Sequence, residues 1–81
     1  MLVTVRLFGS LRERAGRSQE RLELPIGATA ESAWKALVAA TPELASRRAS
    51  LGVAVNRVYA RFETGLKDGD EVVFIPPVSG G

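Results

Sequence analysis

The sequence predicts an α+β fold, a mixed β-sheet with one main helix packed on one face. Three observations predict it. The chain opens and closes on alternating, strand-like runs, Leu2–Phe8 and Glu71–Ile75. A single well-capped amphipathic stretch, Thr29–Thr41, lies between them. The length of 81 residues gives room for one domain with one core. A domain of this size buries only about 60% of the surface its unfolded chain exposes. An apolar content of 46% allows folding without covalent staples.

In Leu2–Phe8, Val3, Val5 and Leu7 share one face by the period of two, and Leu2, Thr4, Arg6 and Phe8 share the other. Gly9-Ser10 breaks the run. The segment from Leu11 to Ser18 is charged and ends near Gly16, so it reads as a loop with room for one helical turn. Arg21 to Leu24 alternates again and is closed by Pro25 and Gly27. These two strands predict an N-terminal antiparallel hairpin. Thr29 is a good helix N-cap, and Glu31 falls in the first turn, where the helix dipole favours negative charge. Ala30, Ala33, Trp34, Leu37, Val38 and Thr41 then follow helical spacing along one face. Pro42 stops this helix. Thr41-Pro42-Glu43 is itself a start signal, which predicts a short second turn over Glu43 to Arg47.

Gly52 to Asn56 reads as a short strand. Asn56-Arg57 makes a tight turn, because Asn tolerates positive φ, and leads into Val58-Tyr59-Ala60. Gly65 and Asp68-Gly69 mark further turns before the last strand, which Pro76-Pro77 ends because neither can donate to a ladder. There are no internal repeats and no linker. The order is strand, strand, helix, strand, short strand, strand. A helix following an N-terminal hairpin can cross one face of a mixed sheet, with the first and last strands side by side in the centre as a parallel pair. That is the β-grasp, ubiquitin-like arrangement. A ferredoxin-like fold would need a second full helix, which Glu43 to Arg48 is too short to supply. Residues 1–77 are expected to form the domain and 78–81 a tail.

Composition excludes several kinds of chemistry. The chain has no cysteine, hence no disulfide, thiolate metal site or thiol nucleophile. It has no histidine, the commonest general base and metal ligand. Eleven Lys and Arg against nine Asp and Glu give a net charge of +2, and the arginines 12, 14, 17 and 21 are interleaved with Glu13 and Glu20. That pattern argues against nucleic-acid binding, which uses a basic cluster with aromatics. No apolar run approaches the ~20 residues of a membrane span, and the opening residues lack a signal-peptide pattern, so a cytoplasmic protein with no membrane partner is expected. Asp68, Asp70 and Glu71 lack the spacing of a calcium loop and read as turn chemistry, so no metal site is expected. Trp34 reads as core, and Arg47-Arg48 as a solvated helix end.

The ending Pro76-Pro77-Val78-Ser79-Gly80-Gly81 is the one feature the fold does not explain. Two prolines hold the exit extended. From Pro77 to Gly81 the chain can reach roughly 16 Å beyond the sheet at about 3.3 Å per residue. A Gly-Gly end lacks Cβ atoms, so it passes through a channel too narrow for other residues. A terminal carboxylate is a poor electrophile and would need activation, for instance as an acyl-adenylate on a partner's nucleotide site. A frayed terminus has the same composition. Phe8 and Ile75 fall on the face opposite the helix, near one another and Val73 in a central parallel pair, with Tyr59 at the edge. An uncovered apolar cluster beside the tail reads as a docking patch, and scattered surface hydrophobes read as nothing in particular.

Ala54-Val55-Asn56, the run Leu66-Lys67-Asp68-Gly69-Asp70-Glu71-Val72, and above all Phe74 to Gly81 resemble the MoaD-like small subunits of molybdopterin synthase, in the MoaD/ThiS family of sulfur carriers. Val3-Thr4-Val5-Arg6-Leu7-Phe8 and Leu11-Arg12-Glu13 are similar too, so the likeness spans nearly the whole chain. ThiS, the thiamin sulfur carrier, shares the Gly-Gly end but has a different run before it. The resemblance implies that an E1-like adenylyltransferase activates Gly81 with ATP and Mg²⁺, and that a sulfurtransferase system converts it to a thiocarboxylate. The small subunit would then dock on the large synthase subunit in a heterotetramer. There it would donate sulfur to cyclic pyranopterin monophosphate, two rounds building the molybdopterin dithiolene. On this reading Gly81 carries sulfur, Gly80 gives clearance, and Phe8, Tyr59, Ile75, Pro76, Pro77, Val78 and Ser79 meet the partner. The chain itself binds no cofactor, and the catalytic side chains belong to the large subunit. A carrier for thiamin, tRNA thiolation or protein conjugation, and an interaction module with an incidental tail, are the alternatives.

Overall fold

The structure, a computed structural model, describes residues 1–77, and 78–81 lie outside the described residues. Strand β1 (Leu2–Leu7) leads through helix α1 (Gly9–Ala15) to β2 (Gln19–Glu23) and helix α2 (Ala30–Ala40). A run of 3-10 turns over Pro42–Ser50 then precedes β3 (Gly52–Val55), β4 (Val58–Ala60) and β5 (Glu71–Ile75). The sheet order is β2-β1-β5-β3-β4. β1 and β2 pair antiparallel, with Val3 opposite Leu22. β5 lies parallel to β1, Val5 opposite Val72 and Leu7 opposite Phe74, and antiparallel to β3. This is the mixed sheet and central parallel pair that alternation predicts.

The alternating faces account for the core. Val3, Val5, Leu7, Val72 and Phe74 are fully buried beneath α2, whose Ala30, Ala33, Trp34 and Leu37 face them. Phe74 is the centre of an aromatic cluster. The Trp34 ring meets it edge-on at 5.1 Å, and Phe62 stacks at 6.1 Å. Such pairs add to the stabilisation from area burial alone. Phe62 comes from the β4–β5 connection, whose backbone also caps α2. The first four N–H groups of a helix have no partner within it. Here Thr29 N–H donates to the Ser32 hydroxyl at 2.9 Å, and Ser32 N–H donates to Thr29 Oγ1 at 3.3 Å. Ala30 N–H donates to the Thr64 carbonyl at 3.0 Å and Glu31 N–H to that of Phe62 at 2.9 Å. All four donors are satisfied.

Three local expectations are corrected. Residues 9–15 form a helix rather than a loop. Its only buried residue is Leu11, so it has no stripe to read, and Gly16 at φ 76 closes it in a left-handed C-cap. Pro42–Ser50 runs nine residues rather than one turn, anchored by fully buried Leu44. Arg48 is not a solvated end: its guanidinium forks onto Glu31 at 2.6 to 3.1 Å and lies 3.4 Å above the Phe62 ring. The Asn56-Arg57 turn is as expected, with φ 51 and 69. So is the acidic run, since Asp70 accepts from Lys67 N–H and the Asn56 amide, and Asp68 from Leu2 N–H.

The Arg48 hydrogen bonds hold the Glu31 carboxyl below its ordinary range, and burial opposes this only in part. A lowered folded-state value means the pair stabilises fully above the unfolded value of 4.5 and ceases to do so as pH falls through the folded one. Both side chains are about one-third exposed, so surface magnitudes apply. Arg48→Ala should cost about 1 to 2 kcal/mol, combining an ion pair and a cation–π contact. Glu31→Gln should cost less and flatten the acid limb of a stability–pH profile from urea melts. An Arg48→Ala protein as stable as the parent would show that the fork contributes nothing.

Candidate functional site

Because β5 is the third of five strands, the chain leaves the sheet from its middle, through Pro76 and Pro77. The outer face, opposite α2, is divided. Toward the start of β5 it is charged: Glu71 takes Arg6 at 3.3 Å and Arg57 at 3.6 Å. Toward the exit it is apolar. Register places Val73 opposite Ala54 in β3, and Ala54 opposite Tyr59 in β4. These three residues with Ile75 and Arg57 line a shallow groove of about 260 Å³. Tyr59 is 86% exposed at its rim. β4 is a three-residue edge strand, and its short length leaves Tyr59 and Val58 uncovered.

Of the residues singled out from sequence, the structure brings Ile75, Tyr59 and Val73 to one groove. Phe8 does not line it. β1 ends at Leu7, and the Phe8 carbonyl accepts from Leu11 and Arg12 N–H to begin α1, leaving the residue 48% exposed. Pro76 is half-buried and Pro77 exposed. Both border a second cleft on the other side of the exit, walled by Ser10, Leu11, Arg47 and Leu51. Pro76 packs against Gly9, whose φ of 54 favours glycine and where a Cβ would lie 3.7 Å from the proline ring. In this cleft Arg47 donates to the Ser10 hydroxyl at 3.2 Å. Sequence reasoning missed the cleft, because Ser10 and Arg47, which meet across it, lie 37 residues apart in the chain. Val78, Ser79, Gly80 and Gly81 lie outside the described residues.

No group of three or more metal-ligating side chains occurs among the described residues. The described residues hold no nucleophile paired with a base. What the site offers is an apolar groove beside the exit from a central strand of the sheet. That arrangement suits presentation of the chain end to another protein.

Comparison with known proteins finds relatives over the whole chain. The chain is 41% identical to the molybdopterin synthase sulfur carrier subunit of Chlamydomonas reinhardtii over 83 aligned positions, covering both chains in full. Its fold matches SAMP1, small archaeal modifier protein 1, of Haloferax volcanii, with TM-score 0.91, 34% identity and full coverage of both. It also matches a chain of the complex of subunits 1 and 2 of the Helicobacter pylori molybdopterin-converting factor, with TM-score 0.69, 26% identity and full coverage of both. Residues 5–81 match the model of the ThiS family, and the chain belongs to that family.

Proposed function

We propose that this chain is the sulfur-carrier small subunit of molybdopterin synthase, and that the carboxylate of Gly81 is its working group. The observation that carries the reading is the exit: a central strand delivers the chain through Pro76-Pro77 past an apolar groove, in a protein whose full-length relative bears that name. The residues supply binding and reach and no acid–base chemistry, as a carrier requires. Residues 78–81 act as the tail of the 1–77 domain.

On an E1-like partner, a Gly81 carboxylate oxygen attacks the α-phosphorus of ATP, whose phosphates the partner's Mg²⁺ neutralises, and pyrophosphate leaves. Sulfide-level sulfur released by a sulfurtransferase system and its thiol reductant then attacks the acyl carbon and displaces AMP, leaving a thiocarboxylate. The carrier docks on the large subunit, as subunits 1 and 2 of the Helicobacter pylori factor do. Its sulfur displaces an oxygen substituent from a carbon of cyclic pyranopterin monophosphate, the oxygen leaving as water or with the phosphate, and hydrolysis of the resulting acyl–sulfur bond returns the Gly81 carboxylate and leaves the sulfur on the pterin. The catalytic side chains are the large subunit's, and this chain keeps no cofactor. No helix among the described residues is long and apolar enough to cross a membrane, and we place the carrier with its ATP-using partner in the cytoplasm. The likeness to a protein named small archaeal modifier protein 1 favours one second reading, in which the same adenylate passes its acyl group to a protein amine.

Two outcomes test this. Tyr59→Glu alters a residue 86% exposed, so stability should move by no more than about 0.5 kcal/mol. In the complex it would bury an unpaired charge at about 2 kcal/mol, a roughly thirtyfold loss of affinity for the large subunit. Unchanged co-purification of Tyr59→Glu and Ile75→Glu would place the interface elsewhere.

Deleting Gly81 should abolish product formation with purified partners while the melting curve stays in place. The reacting carbonyl must lie within about 3 to 3.5 Å of its attacking group, and removing one residue retracts it by roughly 3.5 Å. Gly80→Trp should fail as well, by blocking the partner's channel. A Gly81-deleted protein that accepts and delivers sulfur at the parent rate would refute the carrier reading.

A further inference from the structure

We infer that Arg57 is a specificity-determining residue of the docking face, and that the large-subunit segment seated on the groove sets an Asp or Glu carboxylate against its guanidinium. The partner surface that fits is one apolar side chain on Val73, Ile75 and Tyr59 with one negative charge beside it. This rests on the carrier reading, in which the groove receives the large subunit.

Arg57 stands where glycine is favoured. It is the second residue of the two-residue turn between β3 and β4, at φ 69, after Asn56 at φ 51. Hairpin turns with two positive φ values select Asn-Gly, because a Cβ is strained in the left-handed region. The turn is nonetheless held firmly. Asn56 N–H donates to the Glu71 carbonyl at 2.8 Å, Glu71 N–H donates to Asn56 Oδ1 at 2.9 Å, and the Asn56 amide donates to Asp70 at 2.8 Å. Strain kept in a well-anchored backbone points to use of the side chain it presents. That side chain lines the groove and is 82% exposed. Its ion-pair partner among the described residues is Glu71, at 3.6 Å, and Glu71 turns its other oxygen to Arg6 at 3.3 Å. One carboxylate thus serves two guanidiniums, leaving one positive charge in excess. Arg6 lies opposite Val73 in the register, so the excess sits along the groove. Among the described residues neither arginine forks onto Glu71 as Arg48 forks onto Glu31 at 2.6 to 3.1 Å. The planar donors of Arg57 stay open to a carboxylate of matching geometry. A rim charge of this kind steers the partner and fixes its orientation, while the apolar contact supplies the hold.

The test is stopped-flow association of the purified large subunit with the parent carrier, Arg57→Gly and Arg57→Lys, at low and high salt. The parent should associate more slowly as salt screens the charge. Arg57→Gly should associate about fivefold more slowly at low salt and lose most of the salt dependence. Glycine accepts φ 69, so this variant should melt close to the parent, which separates its slower association from unfolding. Arg57→Lys keeps the charge without the fork, so it should associate near the parent rate and dissociate faster. Arg57→Gly associating at the parent rate or faster, at both salt concentrations, would overturn the role of Arg57 and leave the carrier reading in place. Sulfur loading of the parent by the E1-like enzyme separates the two claims further. A parent that accepts sulfur but never binds the large subunit overturns the role of Arg57 and the molybdopterin assignment, and keeps the working role of Gly81. A parent that binds with the Arg57 dependence but accepts no sulfur overturns the carrier reading alone.

Discussion

The parallel pairing of β1 with β5 is the constraint from which the rest follows. It sets Leu7 opposite Phe74 and so fixes Phe74 beneath Trp34 and against Phe62. Parallel strands cannot be joined by a tight turn and need covering on at least one face, which is what α2 provides. Slipping β5 by one residue would turn Val72 and Phe74 outward and Val73 and Ile75 inward. The same register that buries the core therefore also writes the apolar groove on the outer face and sets the direction in which the chain leaves.

The β4–β5 connection ties this sheet to the helix. Phe62 and Thr64 satisfy backbone donors at the start of α2, and the Phe62 ring lies between Phe74 and the Arg48 guanidinium. Arg48 reaches back to Glu31 in the first turn of α2. A loop, a helix start and a 3-10 run are thus joined around one aromatic ring. Rigidity there has a functional meaning. On the proposed function, a carrier has to hold its exit steady while its partners take hold of its end.

Much of this was legible in the sequence, for stated physical reasons. Alternation gave β1, β5 and their two faces, and Thr29 with the stripe through Trp34 and Leu37 gave α2 to within its caps. Asn56-Arg57 gave the hairpin turn because few residues accept positive φ. Helix α1 was not legible, since a helix held by Leu11 alone shows no period. Arg47 and Arg48 looked alike as letters, yet Arg47 meets Ser10, 37 residues away, and Arg48 meets Glu31 and Phe62, 17 and 14 residues away. The groove could be foreseen from Ile75 and Val73. Phe8 could not be placed, because whether it stays on the strand depends on where α1 begins. The roles proposed for Gly80 and Gly81 come from composition and resemblance, and both residues lie outside the described residues.

The central claim is that a chain without histidine or cysteine does its chemistry with its own end. It is tested most directly by intact mass spectrometry of the wild-type protein co-expressed with an E1-like adenylyltransferase and its sulfurtransferase, followed by analysis of the C-terminal peptide. The account predicts exchange of one oxygen for sulfur, confined to Gly81 and dependent on the adenylyltransferase. A mass that stays unchanged in the presence of active partners, or sulfur found on any other residue, would contradict it.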